Sequence, residues 1–480
     1  MQGYFFELGY LLITCTLCIA AGIMLILHKE IRISPLNVLV FGLVALYGIS
    51  IIYAVDREHA LLEALRITCL LPFSLIISTL KFEERLGLLR LWTWIGALLV
   101  IVGVVFHLER KERLESTIEY ANSLAILLLV TLMICLFFYL KERRFAQSLV
   151  LVILGTGLLL TLSRAVWVLW GIALIASFIS FPEMRNRRNM MIIGFSHLGS
   201  FLVAALIRQD LSFLWHRVKS IQPDTAELQI RTVYWRDSLL IIRDYWWGGT
   251  GGGGWRLLQH DYQSKAYFVK YVHNHYLQIA MDIGIIGLGF FLFFMIWFYI
   301  KAWKQRTNAQ LSIDQKYWSK STIILVSVIL LHAGFDFDLS FPLIFGILLF
   351  LISIVMDREL TKVYKLSGLP IVFIGGVLIS ITGFALIISI GYQQKELGIR
   401  SAAESHWEEA HQHFSNAKRL LPWSHTTLYE YAKSFVLQGN QSRNLQDYYA
   451  AQVELEAALK RAPLEKIYQE LKIDLEKVNQ

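Results

Sequence analysis

Residues 121–140 read Ala-Asn-Ser-Leu-Ala-Ile-Leu-Leu-Leu-Val-Thr-Leu-Met-Ile-Cys-Leu-Phe-Phe-Tyr-Leu, twenty positions without a charge. A helix of about 20 apolar residues spans the hydrocarbon core of a bilayer. The run therefore reads as a transmembrane helix, and eleven others of similar kind flank it. They lie near 4–27, 36–55, 64–80, 88–107, 147–163, 165–181 and 190–207, and then near 276–300, 321–337, 340–356 and 369–392. The shorter ones read equally as broken or re-entrant spans. The first run is too long for the apolar core of a secretory signal and reads as a retained span. Over 480 residues, 56% are apolar and only 17% charged, against roughly 25% charged in soluble domains. The expected fold class is all-α: a polytopic membrane protein of about twelve transmembrane helices.

Charge in the loops sets the predicted orientation. Alternate loops carry Lys29 and Arg32; Lys81, Arg85 and Arg90; Lys141, Arg143 and Arg144; Arg185, Arg187 and Arg188; Lys301 to Lys320; and Arg358, Lys362 and Lys365. Basic short loops stay in the cytoplasm. The net charge of +8 is accounted for there, and no nucleic-acid motif accompanies it. Both termini and the long polar segment 208–275 then face outward. Cys15, Cys18, Cys69 and Cys135 all lie in apolar runs; they read as small buried residues, with no disulfide framework and no metal pair.

The tail 393–480 is polar and repeats a pattern. Ala410, Phe414, Ala417 and Pro422 share their spacing with Ala451, Leu455, Ala458 and Pro463. The first three positions of each set fall on one helical face and the proline ends the helix. The pattern resembles the second helix of a tetratricopeptide repeat, or else a generic amphipathic tail. The expected division is 1–392 for the membrane domain and 393–480 for a helical-repeat domain, the latter suited to an envelope protein partner.

His273-Asn274-His275 stands where the long loop enters a span. A histidine there can serve as acid, base or hydrogen-bond donor, or as an interfacial anchor. Arg164 interrupts an apolar stretch running from 147 to 181. A charge at mid-membrane costs about 2.5–3.5 kcal/mol or more, so it marks a hairpin apex or a site. An arginine can bind a pyrophosphate through two parallel hydrogen bonds, or can simply tie down a loop. Arg231 and Arg236, five apart, suit a shared clamp on one anion, or one of them ties down the loop; they precede Trp246, Trp247, the glycine run 248–254 and Trp255. The glycines are not a nucleotide-phosphate loop, since no Gly-Lys-Ser/Thr follows. They suggest a flexible segment of close backbone approach, with tryptophans that either stack on sugars or anchor at the interface. Asp336 and Asp338 lie between two short spans and suit either acceptor binding or helix capping.

His273-Asn274, nine residues, Gly284, two residues and Gly287 match the pattern His-[Asn/Ser/Gln]-x9-Gly-x2-[Gly/Thr/Tyr]. In this the chain resembles bacterial O-antigen ligases and O-antigen polymerase-like proteins. Ser163-Arg164, the Arg231 to Trp255 loop, and His332-Ala333-Gly334-Phe335-Asp336 are similar to that family's other conserved stretches. The likeness spans about 120–345; the family's usual proline near Trp246 is missing. It implies a glycosyltransferase C-like fold in the cytoplasmic membrane of a bacterium, with the site outward. The implied donor is a glycan on undecaprenyl pyrophosphate; the acceptor is a saccharide, protein or wall polymer, or another lipid-linked unit. His273, Arg231 and Arg164 take the catalytic roles. Arg236, Asn274, His275, Trp255, His332 and Asp336 bind substrate. No metal or cofactor is expected. The alternatives are a lipid-linked-oligosaccharide flippase, which should show two similar halves that this sequence lacks, and a non-catalytic envelope scaffold.

Overall fold

The computed structural model describes residues 6–219, 226–356 and 361–478. Each of the twelve apolar runs falls on helix. They form α1 (Glu7–His28), α2 (Pro35–Tyr53), the broken pair α3 (Arg57–Thr68) and α4 (Leu70–Thr79), α5 (Phe82–Val105) and α6 (Ala121–Glu142). Next come α7 (Phe145–Leu160), α8 (Arg164–Ser180) and α9 (Arg187–Arg208). The loop carries α10 (Phe213–Lys219), α11 (Ala226–Asp244) and α12 (Gly254–Tyr262). Then follow α13 (His275–Gln305), α14 (Ile313–Ala333), α15 (Pro342–Val355) and α16 (Leu369–Ala403). Among the described residues eight spans, counting α3 and α4 as one, are long and apolar enough to cross a bilayer outright, against the twelve expected; α7, α8 and α15 are shorter apolar helices, and α14 falls in neither group. The protein is an all-α, multi-pass membrane protein.

The quoted run, α6, is the centre of the bundle: every residue from Ala121 to Leu140 is buried. A helix apolar all round belongs in the middle of a large apolar assembly. By contrast α1 exposes Leu12, Ile19, Ile23 and Ile26, and α16 exposes Val372, Phe373 and Ile379. Those faces need lipid, where exposed apolar side chains carry no cost.

Contacts between loops group them at the two ends of the bundle. On one side, β1 (Glu30–Ile33) pairs antiparallel with β2 (Lys362–Lys365), and Lys141 Nζ meets Asp314 at 2.6 Å. On the other side, Glu109 meets Arg208 at 2.9 Å. Arg358, counted with the basic loops, lies outside the described residues.

Beyond α16 come α17 (Trp407–Leu420), α18 (His425–Ser442), α19 (Leu445–Arg461) and α20 (Lys466–Val478). Ala410, Phe414, Ala417, Ala451, Leu455 and Ala458 are all buried, as their shared helical face requires. No break falls at 392/393, because α16 runs through it. The tail touches the loop side: Lys466 Nζ lies 3.0 Å from Asp261, and Arg256 pairs with Glu465.

The glycine run is a docking strip rather than a flexible segment. Thr250 N donates to Met281 O at 2.6 Å, and Gly251 N to Asp282 O at 3.0 Å. Those carbonyls are available because α13 is kinked at Ile283 and Gly284. Gly284 holds φ +69° with ψ −174°, a region essentially restricted to glycine. A Cβ on it would sit 1.9 Å from the Trp247 carbonyl oxygen. Gly284→Ala is therefore expected to cost more than about 2 kcal/mol and to lower the thermal midpoint in detergent by several degrees. An unchanged midpoint would show that the kink is not constrained.

Candidate active site

The turn between α7 and α8 delivers Ser163 and Arg164 to a cavity of about 160 Å³. It is lined also by Arg113, Asn122, Arg217, Glu227, Arg231, His332 and Phe335. Five chain segments distant in sequence meet here, and four guanidinium groups face one carboxylate. Arg164 Nη2 binds Glu227 Oε2 at 2.6 Å, and Arg231 Nη2 approaches Glu227 Oε1 at 3.2 Å. One carboxylate thus bridges the two arginines. Arg113 Nε donates to Thr161 O at 2.9 Å and Arg217 Nε to Leu162 O at 3.0 Å. Burial lowers the pKa of Arg217, and the charges of Arg164 and Arg113 lower it further. Guanidiniums remain protonated regardless, so this crowding of like charge is a standing attraction for an anion.

Beside the cavity, His273 Nδ1 contacts Asp336 Oδ1 at 3.0 Å. Asp336 is fully buried. It accepts from Tyr120 Oη at 3.0 Å, from Asn122 Nδ2 at 2.8 Å and from its neighbour Phe337 N at 2.9 Å. Arg231 Nη2 lies 3.5 Å from its Oδ2. Burial alone would raise this carboxyl; the hydrogen bond from His273 and the charge of Arg231 reverse that and hold it well below the usual carboxylate range. An ionised carboxylate on Nδ1 keeps the proton there and leaves Nε2 as the basic nitrogen. His273 itself has φ +53°, an uncommon backbone state for a residue with a side chain. It is sustained by Asn274, whose side chain caps α13 through Tyr276 N and Leu277 N, both 3.1 Å, and donates to Gly334 O at 3.0 Å. Trp235 Nε1 holds the His273 carbonyl at 3.2 Å.

Arg164, Arg231, His273 and Asp336 are thereby joined through two shared carboxylates, and His332 lines the same cavity while paired with Asp338. Four expected substrate contacts are placed otherwise. Arg236 is exposed on α11; five residues turn a helix by about 140° from Arg231, so the two do not clamp one anion. His275 is buried against Phe345, because its position one residue into α13 points it into the bundle. Trp255 is fully buried and donates Nε1–H to Val269 O at 3.1 Å, so its ring belongs to the loop's own apolar core. Asn274 acts as a cap rather than lining the cavity. Trp246 and Trp247 stay exposed, at 56% and 62%. Arg113, Asn122, Arg217, Glu227 and Tyr120 were not anticipated. The usable signal was polar residues crowded against the start of α6 and a lone arginine in the short α10.

Fold and site together define a multi-pass membrane protein with a cationic cavity at one rim of its bundle, next to a histidine–aspartate pair. Residues 149–292 match the family model of the O-antigen ligase. Arg164, Arg231 and His273 fall within the matched segment; Arg113, His332 and Asp336 fall outside it. The match supports glycan transfer of the ligase type in general. No curated protein matches the chain.

Proposed function

We propose that this protein transfers a glycan from an undecaprenyl-pyrophosphate-linked donor to an acceptor at the outer face of the bacterial cytoplasmic membrane. The observation that carries the reading is the four-arginine cavity beside the His273–Asp336 pair. A pyrophosphate needs paired donors and fixed positive charge, and arginine forks supply both. In the reaction the acceptor hydroxyl gives its proton to His273 Nε2 as its oxygen bonds to the anomeric carbon. The bond from that carbon to the phosphate oxygen breaks, and its electron pair leaves with the pyrophosphate. The arginines stabilise that growing charge without needing a metal at the cavity. Glu227 bridges Arg164 and Arg231 and would exchange its place with the incoming phosphates. The basic loops on the opposite rim support an outward-facing site, and the tail, on the site's side of the membrane, would meet envelope partners or acceptor.

The test is transfer by the purified protein from a polyprenyl-pyrophosphate oligosaccharide, read as loss of lipid-linked sugar with appearance of polyprenyl pyrophosphate. Donor left intact in the presence of saccharide, protein and lipid-linked acceptors counts against catalysis. Donor moved across vesicles without cleavage would favour a flippase. In a deletion strain, full-length chains stranded on lipid indicate a ligase, and single repeats stranded on lipid indicate a polymerase.

A further inference from the structure

Asp56, His59 and His425 converge where the tail meets the membrane domain. Asp56 caps α3, His59 lies in its first turn, and His425 opens α18, 366 positions downstream of His59. His59 Nδ1 lies 2.8 Å from Asp56 Oδ2, and His425 Nε2 lies 3.2 Å from Asp56 Oδ1. One candidate ligand atom from each residue falls within 4.8 Å of the others. Tetrahedral zinc with ligands near 2.0–2.1 Å separates its donor atoms by about 3.3 Å, so the three need move little to share one ion. Glu58 Oε2 stands 3.6 Å from His425 Nε2 as a fourth donor.

Two further observations point to a cation. First, Asp56 and Glu58 are both buried, and among the described residues their ion pairs are with histidines alone. Both carboxylates thus face imidazole nitrogens, and carboxylate with imidazole is a donor set that suits zinc. A divalent ion neutralises both. Second, His425 already has the outer support common to metal-bound histidines: its Nδ1 meets Tyr468 Oη at 2.9 Å, which fixes the ring with Nε2 toward the cluster. His59, at 17% side-chain exposure, leaves an edge for entry.

We propose that Asp56, His59 and His425, with Glu58 beside them, bind one zinc-type divalent ion that fastens the C-terminal helices to the membrane domain. None of these residues lines the arginine cavity, so the ion is structural and the proposal stands apart from the glycan-transfer reading.

The full chain in detergent is loaded with zinc chloride, desalted and assayed for metal. About one zinc per chain is expected, lost in His59→Ala and in His425→Gln but kept in His406→Ala, an exposed tail histidine. X-ray absorption on the loaded wild type should show nitrogen and oxygen neighbours near 2.0–2.1 Å, which needs no variant to fold. Chelation should expose the 403–406 connection to protease, and zinc should protect it again. Wild-type protein that keeps no zinc overturns the proposal. So does a His59→Ala chain that keeps as much as wild type, which would mean the metal sits elsewhere.

Discussion

Arg231→Ala is expected to slow glycan transfer by about 10²–10³-fold, the usual loss when a fixed donor to developing charge is removed. Arg231 is the hub of the site. It reaches Glu227 at 3.2 Å and Asp336 at 3.5 Å, and donates to the Phe335 carbonyl. Burial lowers its pKa, yet Asp336, Tyr120 and Glu227 more than reverse that, and the net shift is upward. Because it also anchors the 334–341 turn, a loss of rate must be separated from a loss of structure. Arg231→Lys does this. It keeps the charge but lacks the planar fork, so transfer should fall at least about tenfold while the thermal midpoint stays close to wild type. Arg236→Ala, on the exposed side of α11, should leave the rate within about twofold, as surface changes away from a site usually do. If Arg231→Lys and Arg236→Ala behave alike, the phosphate contact assigned to Arg231 is wrong.

His273→Ala should cost about 10²–10⁴-fold, the range for a positioned proton acceptor. Asp336→Asn tests the partner. Its amide can still accept from Nδ1–H but no longer stabilises the charged imidazolium, nor balances Arg231, and a loss of about 10³-fold or more is expected. The sign of the pH dependence follows from the depressed carboxyl. Its contribution to stability is complete above the unfolded value of about 3.9 and fades only as pH falls through the lower folded value. Asp336 therefore stays ionised at every pH where the enzyme would be assayed, and cannot cause a limb near neutrality. A His273→Ala chain that inserts normally and transfers at the wild-type rate would remove His273 from the proton-transfer role.

The transmembrane class was legible because it rests on composition and run length, which need no knowledge of neighbours. So was the shared buried face of Ala410, Phe414 and Ala417, since 3.6-residue periodicity is a local property. His273 and Arg164 stood out as polar groups at the ends of apolar runs. The errors have local causes too. Trp255 resembled an exposed stacking ring because a loop's own small core, here Trp255 with Tyr234 and Met281, leaves no periodic mark. Arg236 was paired with Arg231 by nearness in sequence, although helical geometry turns them apart.

Taken alone, the chain's letters determined that this is a multi-pass membrane protein and that His273, Arg164 and Arg231 are polar groups in unusual places. Only the tertiary structure decided that Arg113, Arg164, Arg217 and Arg231 surround one cavity, that Asp336 rather than a nearer residue orients His273, and that His425 reaches Asp56. Hydropathy is a sum over neighbours along the chain. Ser163 meets Asn122 across 41 positions and His425 meets Asp56 across 369, meetings selected by packing and charge balance that no local window contains.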